Sequence, residues 1–301
     1  MESLHCSALL ASVELGSLTA AAQQLGYTQS GISRMIQTLE QELGFPLLIR
    51  AKRGVLLTEN GKAMLPLLRD VVHAQQNVLQ RSAEIHGVIR GTLRIGCYYS
   101  MSALWMPAVL QQFCARYPGI HVQMQEGGNL ELGRWLREKS VDCCFGAKPK
   151  QPGCDWIPIF RDELLVWLPP GHRFAECRAF PLAQLECEPF IHTAPAHDTD
   201  QDRLLADHAL HPQTRFSTRD AFTTYNMVEA GLGVSFNQRL ISQKWQGRVV
   251  QLPFDPPQYV PLGIALAPEQ ARTPAVRCFV DCVRQLLQHA SDEEGPDARV
   301  L

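Results

Sequence analysis

Ser30, Ser33, Arg34 and Gln37 recur at spacings that put them on one side of a helix, with Gln29 in its first turn. No carboxylate interrupts this face until Glu40. Short hydrogen-bond donors and a guanidinium on two successive turns suit phosphates and base edges in a DNA major groove. A second basic group follows, where Arg50, Lys52 and Arg53 crowd around Gly54 as a local phosphate-binding patch. Farther along, polar residues gather where strands should end and helices begin. Ser100, Met101 and Ser102 follow one such strand, Gly128 and Asn129 the next, and Thr193 a third. Phe222 and Thr223 open a later helix, and Phe236 lies in the strand after it. Backbone N–H groups at Ser100–Ser102 favour an anionic or carboxylate-bearing ligand. Lys148 and Arg219 are candidate neutralising cations, and Tyr98, Tyr99, Trp105 and Phe222 candidate pocket rings. Helix capping accounts for Ser100, Asn129 and Asp220 equally well.

These residues need a frame. Leu18, Ala21, Ala22 and Leu25 recur at helical spacing, Gly26 and Tyr27 break the pattern, and Ile32, Ile36, Leu39 and Leu43 resume it. Residues 19–43 therefore predict two helices across a tight turn, the layout of a helix-turn-helix. A helix over 3–14 precedes it, with Cys6, Leu9, Leu10 and Val13 on one face. Extended apolar runs on either side of the basic tip predict a two-stranded wing. Thr58 then caps a long helix ending near residue 86, about 40 Å at 1.5 Å per residue. Its stripe of Met64, Leu67, Leu68, Val71, Val72, Val78 and Leu79 finds no partner in so small a domain. We read it as a dimerisation helix that also joins the two halves of the chain. Pro66 should kink it or sit near its start.

From Thr92 the pattern becomes strand–helix alternation, which predicts α/β structure with parallel strands. Strands are expected at 93–97, 120–125 and 141–146, with helices over 103–116 and 130–138 between them. After a Pro/Gly/Lys-rich linker at 147–154, a second unit follows, with strands at 156–160, 164–168, 190–193, 215–218, 233–236 and 259–266. A final helix over 273–289 returns to the first unit. Two lobes joined by two crossings make a hinged clam with its ligand between them. The expected division is a DNA-binding domain over 1–58, a linker helix over 59–90, an effector domain over 91–290 and a disordered tail over 291–301. Lobe 1 takes about 91–160 and 266–290, and lobe 2 about 161–265.

The formal net charge of the 301 residues is -2, so a nucleic-acid role must rest on local rather than bulk charge. The N-terminus lacks a basic n-region and a cleavage site, and no apolar run approaches the roughly 20 residues of a membrane span. A cytoplasmic protein is expected, its 10 cysteines thiols rather than a disulfide framework. Cys278 and Cys282 share a helix face without a nearby His, so no metal site is expected, and no cofactor. No G-x-S-x-G, P-loop, G-x-G-x-x-G or H-E-x-x-H occurs, which disfavours an α/β enzyme.

The run LGSLTAAAQQLGYTQSGISRMIQTLEQELGFPLLIR, followed by LLTENG, resembles the N-terminal domain of LysR-type transcriptional regulators. The resemblance continues through LRIG, RYPGIHVQMQEG, VDCCFGA and EAGLGVSF. It implies a winged helix-turn-helix, a linker helix pairing two subunits, and a two-lobed effector domain of the periplasmic-binding-protein (type 2) kind. It further implies a homo-oligomer, usually a dimer of dimers, bound to palindromic promoter DNA and answering to a small co-inducer, with RNA polymerase as a possible partner. Matched positions put Gln29, Ser30, Ser33 and Arg34 on DNA, with Arg50 and Arg53 on its backbone, and Ser100–Ser102, Gly128 and Thr193 in the inducer cleft. The sequence departs from the pattern at Leu48 and Asn237. A thiol-sensing regulator of the same fold is the alternative, resting on Cys177 and Cys187, which lie before the strand where a reactive pair is expected.

Overall fold

A computed structural model of the chain describes residues 1–51, 54–86, 90–150, 153–266 and 273–293. The N-terminal unit opens with helices α1 (Ser3–Glu14), α2 (Leu18–Leu25) and α3 (Gln29–Leu43). Their ends follow from capping. Ser17 accepts the N–H of Ala20, Thr28 accepts that of Gly31, and Gly26 and Gly44 close α2 and α3 in the left-handed region. Leu9, Ala21, Ile32, Ile36 and Leu39 form one buried core with Leu68 and Val72 of the next helix. The wing is the antiparallel pair β1 (Leu48–Ala51) and β2 (Gly54–Leu57), with Leu48 opposite Leu57. Glu40 of α3 braces it, its Oε1 accepting Leu47 N at 2.7 Å and Leu48 N at 3.0 Å. Val55 N donates to Gly16 O, so closely that a Cβ on Gly54 would stand 2.1 Å from that oxygen.

Thr58 caps α4 (Glu59–Ile85) as expected, its Oγ1 accepting Gly61 N at 2.8 Å, and Pro66 lies inside the helix. The second half then begins with β3 (Gly91–Cys97), α5 (Tyr99–Leu104), α6 (Met106–Arg116), β4 (Ile120–Glu126), α7 (Asn129–Arg137) and β5 (Cys143–Ala147). The single helix expected over 103–116 is instead two. Pro107, which has no N–H to donate, sits in the first turn of α6, and the helix restarts at Trp105.

Strand β6 (Asp155–Leu168) is continuous where two strands were expected. It is followed by β7 (Phe180–Pro181), a 3-10 turn at Leu182–Cys187, β8 (Phe190–Thr193), α8 (Asp200–Asp207), β9 (Thr214–Thr218) and α9 (Ala221–Glu229). Then come β10 (Ser235–Gln238), α10 (Arg239–Ser242), β11 (Val250–Asp255), β12 (Tyr259–Leu266) and α11 (Pro274–Glu293). Neither α10 nor β11 was anticipated. Helix α10 is a single turn of 4 residues, and Pro253 obscures the strand pattern of β11. Helix α11 covers 291–293, where a disordered tail was expected; residues 294–301 lie outside the described residues.

The main sheet runs β4-β3-β5-β12-β6-β11-β7, with β10 also on β6. It is mixed rather than parallel: β3 pairs in parallel with β4 and β5, while β12 is antiparallel to β5 and β6. Strands β6 and β12 pair from Asp155↔Leu266 to Glu163↔Tyr259 and pass through both lobes. Their register shifts at Leu262/Gly263, where a Cβ on Gly263 would lie 2.3 Å from Ile157 O. Lobe 2 also holds the parallel pair β8–β9 and a small core of Trp167, Ile191, Tyr225, Val228 and Val249. Helix α11 packs on lobe 1, with Phe279 edge-on to Phe113 at 4.9 Å.

Candidate nucleic-acid interface and ligand cleft

On α3, burying Ile32, Ile36 and Leu39 fixes the helix rotation and turns Gln29, Ser30, Arg34 and Gln37 outward, where all four are exposed. Ser33, on the same side, is half-buried. Thr28 Oγ1 lies 3.1 Å from Ser30 Oγ and also caps the helix, so the turn orders the Ser30 side chain. Arg50 belongs to β1 opposite Val55; its side chain, and the whole of Lys52 and Arg53, lie outside the described residues.

A cavity of about 830 Å³ opens between the lobes. Of the expected residues, Ser100, Ser102, Gly128, Asn129, Thr193, Phe222 and Phe236 line it. Met101 and Thr223 do not. Met101 is fully buried in the lobe 1 core, because neighbours on α5 face different ways. Thr223 is exposed and caps α9, its N and Oγ1 both donating to Asp220 Oδ1. Trp105 stacks on Phe160 instead of entering the cavity, and Lys148 is not on the wall although Arg219 is.

Residues not singled out as ligand contacts prove central to the wall. Gln201, in the first turn of α8, accepts Thr193 N at 2.8 Å and donates to Ser235 Oγ at 3.0 Å and to Phe236 O at 2.6 Å. Thr193 and Thr224 hydroxyls meet at 2.8 Å. Trp245 meets Phe222 edge-on at 5.2 Å. No sequence signal distinguished Gln201 or Trp245, since the first is placed by α8 folding against β10 and the second by the segment after α10 packing on α9 and Trp167.

The lobes bond directly to each other along one edge of the cavity. Ser100 Oγ donates to Gln238 Oε1 at 2.8 Å, and Gln238 Nε2 donates to Asp200 Oδ2 at 2.6 Å. Tyr98 donates to Asn129 Oδ1, and Asn129 Nδ2 donates to Asp198 O at 2.5 Å. Lys150 and Arg203 both bind the Asp198 carboxylate, at 2.6 Å each. Burial opposes the charge on Asp198, but hydrogen bonds from Arg203 and Lys150 hold its carboxyl below the usual range. Burial pushes Asp200 up to about 6, against the bond from Gln238 and the charge of Arg203. Burial likewise raises the Tyr98 phenol and the thiols of Cys97, Cys143 and Cys144, so these thiols are held protonated. Cys177 and Cys187 are exposed.

Among the described residues no group of three or more His, Cys, Asp or Glu could hold a metal ion, and no helix is long and apolar enough to cross a membrane.

Comparison with known proteins gives a consistent result. Residues 4–62 match the family model described as bacterial regulatory helix-turn-helix protein, lysR family, and residues 86–288 match the LysR substrate binding domain. The chain is similar to the uncharacterised HTH-type transcriptional regulator YvbU of Bacillus subtilis, with 29% identity over 91% of this chain and 94% of that one. Among solved structures it resembles a variant of full-length OxyR from Pseudomonas aeruginosa (TM-score 0.75, 21% identity, 94% and 98% covered). It also resembles full-length CbnR complexed with its target DNA (TM-score 0.63, 22% identity, 95% and 99% covered). At those identities the structural likeness speaks for the fold.

Proposed function

Since this chain belongs to the LysR family of bacterial helix-turn-helix transcriptional regulators, we propose that α3 reads promoter DNA while a small molecule in the interlobe cleft sets the outcome. The observation that carries the reading is the exposed face of Gln29, Ser30, Arg34 and Gln37, held on a rigid core and continuous through α4 with a lobed domain enclosing a cavity. Gln29, Ser30, Ser33, Arg34 and Gln37 would meet base edges and phosphates, and Arg50, Lys52 and Arg53 would meet the backbone beside them. Ser100, Ser102, Gly128, Asn129, Thr193, Phe222 and Phe236 would enclose the effector. That CbnR is seen with its target DNA supports the DNA half of this proposal.

The apolar side chains left exposed on α4, Leu67, Val78, Leu79 and Ile85, support pairing of two copies through this helix. With four cations against five carboxylates in residues 1–60, one DNA-binding unit is weakly attracted to DNA, and pairing supplies the affinity. The domain division we propose is 1–58, 59–90 and 91–290, in a protein acting in the cytoplasm without catalysis of its own.

Footprinting on the region upstream of the chain's own coding sequence tests this. Protection of two half-sites spaced by whole helical turns is expected. Absence of binding there and to pooled genomic fragments at low salt would count against it.

A further inference from the structure

The carboxylate of Asp200 sits in the seam between the lobes with its hydrogen bonding incomplete. Its Oδ2 accepts from Gln238 Nε2, while its Oδ1 is buried and has no hydrogen-bond partner among the described residues. A buried charge left without a donor is costly, and such groups in native proteins call for an explanation. The neighbouring cations do not supply one. Arg203 places two nitrogens on Asp198, at 3.1 and 2.6 Å, and Lys150 donates to the same carboxylate. Asp198 thus takes the hydrogen bonds of both cations, and among the described residues Asp200 has no ion pair, although the charge of Arg203 still reaches it.

Both serine hydroxyls at the start of α5, and one of the three N–H groups expected to receive an anion, are engaged elsewhere. The Ser100 hydroxyl donates to Gln238, the Ser102 hydroxyl to Tyr99 O at 3.1 Å, and Ser102 N to Tyr98 O at 2.8 Å. Across the cavity wall the four acids Glu126, Glu131, Asp200 and Asp220 face two permanent cations, Arg219 and Lys244, with His197 the one other basic side chain among the described residues that line it. Glu131 and Asp220 also cap α7 and α9, through Gly128 N at 3.2 Å and Thr223 N at 2.7 Å. Aromatic faces complete the wall. Tyr99 is 63% exposed and Phe222 49%, and Trp245 stands beside Phe222. Such faces attract cations as well as flat apolar groups. A cavity of about 830 Å³ is ample for a ring-bearing molecule.

We infer that the cleft takes a ring-sized ligand bearing an ammonium or amidinium group, with the free oxygen of Asp200 as its counter-ion. This rests on the reading of the cleft as the effector site, and it reverses the ligand charge expected from the sequence. Oδ1 is sealed while the Ser100–Gln238 and Asn129–Asp198 bonds hold the lobes together. Parting them exposes it, the ligand's N–H donates to it, and reclosure leaves the pair in a low-dielectric seam where the attraction is strongest.

Thermal unfolding of the full-length protein at pH 7.5 with benzylamine or benzoate tests the charge, since the two differ mainly in its sign. Benzylamine at about ten times its dissociation constant should raise Tm by about 2 °C, and benzoate at equal concentration should not. Asp200→Asn should lose the benzylamine shift, while its own Tm, free of a buried unpaired charge, equals or exceeds that of the parent. A shift with benzoate alone, or a benzylamine shift that survives in Asp200→Asn, overturns the assignment and leaves the cleft as an effector site. If neither probe shifts Tm, the cleft reading falls, and this inference with it.

Discussion

The guanidinium of Arg69, on α4, donates to the backbone carbonyl of Glu138 at 2.8 Å, just beyond the end of α7. Its other terminal nitrogen lies 3.7 Å from the Glu14 carboxylate of α1. One buried side chain, 6% exposed, therefore touches the DNA-binding unit, the linker helix and the lobe that forms half of the cleft. A cavity of about 390 Å³ lies around it, lined also by Arg94, Arg134 and Trp135.

Replacing that side chain should loosen the connection. Arg69→Met keeps much of the apolar packing, leaves Glu138 O without its donor and removes the counter-charge of the half-exposed Glu14 and Glu138 carboxylates. We expect a loss of about 1–3 kcal/mol in urea unfolding. In DNA-binding titrations the variant should retain affinity but lose most of its response to ligand. An unchanged ligand response would show that Arg69 only contributes stability.

Two buried carboxyls predict a particular dependence on pH. Burial raises both Asp162, whose Oδ2 accepts Leu240 N at 3.1 Å, and Asp200 to about 6. The unfolded chain titrates near 3.9. Above pH 6 the folded state carries the full cost of both buried charges. As pH falls from about 6 to 4 the folded state binds protons first, so these two groups add stability over that window. Asp200→Asn should therefore be more stable than the parent at pH 7.5, by up to about 2–3 kcal/mol. The gap should narrow to about 1 kcal/mol at pH 4.5 and close below about pH 3.5, as read from urea midpoints. A constant gap would contradict the assigned origin of the shift.

The exposed face of α3 separates base reading from charge. Arg34→Ala should weaken binding to all duplexes if it meets phosphate, with the salt slope reduced by about one unit. If it meets a base, specificity at one position should relax by about 1–3 kcal/mol. Gln29→Ala should lower specific binding more than non-specific binding. Competition titrations at two salt concentrations distinguish these outcomes, and a Gln29→Ala variant with unaltered specificity would remove it from the reading face.

Pairing through α4 predicts how a charge on its bare stripe behaves. Val78 and Leu79 are 69% and 61% exposed, so substituting them should leave the folded subunit intact. Val78→Glu with Leu79→Glu should shift the mass seen by light scattering toward the monomer. It should also lower promoter affinity by at least tenfold, since the two half-sites are then bound independently. A variant of unchanged mass would place the subunit contact elsewhere.

The N-terminal unit was legible because its information is local. Ser17, Gly26, Thr28 and Gly44 punctuate the helices through their own capping chemistry, and the period of Ile32, Ile36 and Leu39 fixes which side of α3 faces outward. The cleft was legible only in part. Strand ends and helix starts pointed to Ser100, Gly128, Asn129 and Thr193, and they do line it. The same rule put Met101 in the cleft when it belongs to the core, because one helical step turns a side chain by about 100°.

The helix-turn-helix, the wing, the long helix and the α/β character of the second half can be read from residue order, since each depends on the period of apolar residues and on residues at element ends. The electrostatics of the seam depend on the packing of distant segments. Ser100, Gln238 and Asp200 are remote in sequence and meet only where the lobes close. Whether a carboxylate there finds a cation is settled by which neighbour, Asp198 or Asp200, reaches Arg203 first in space.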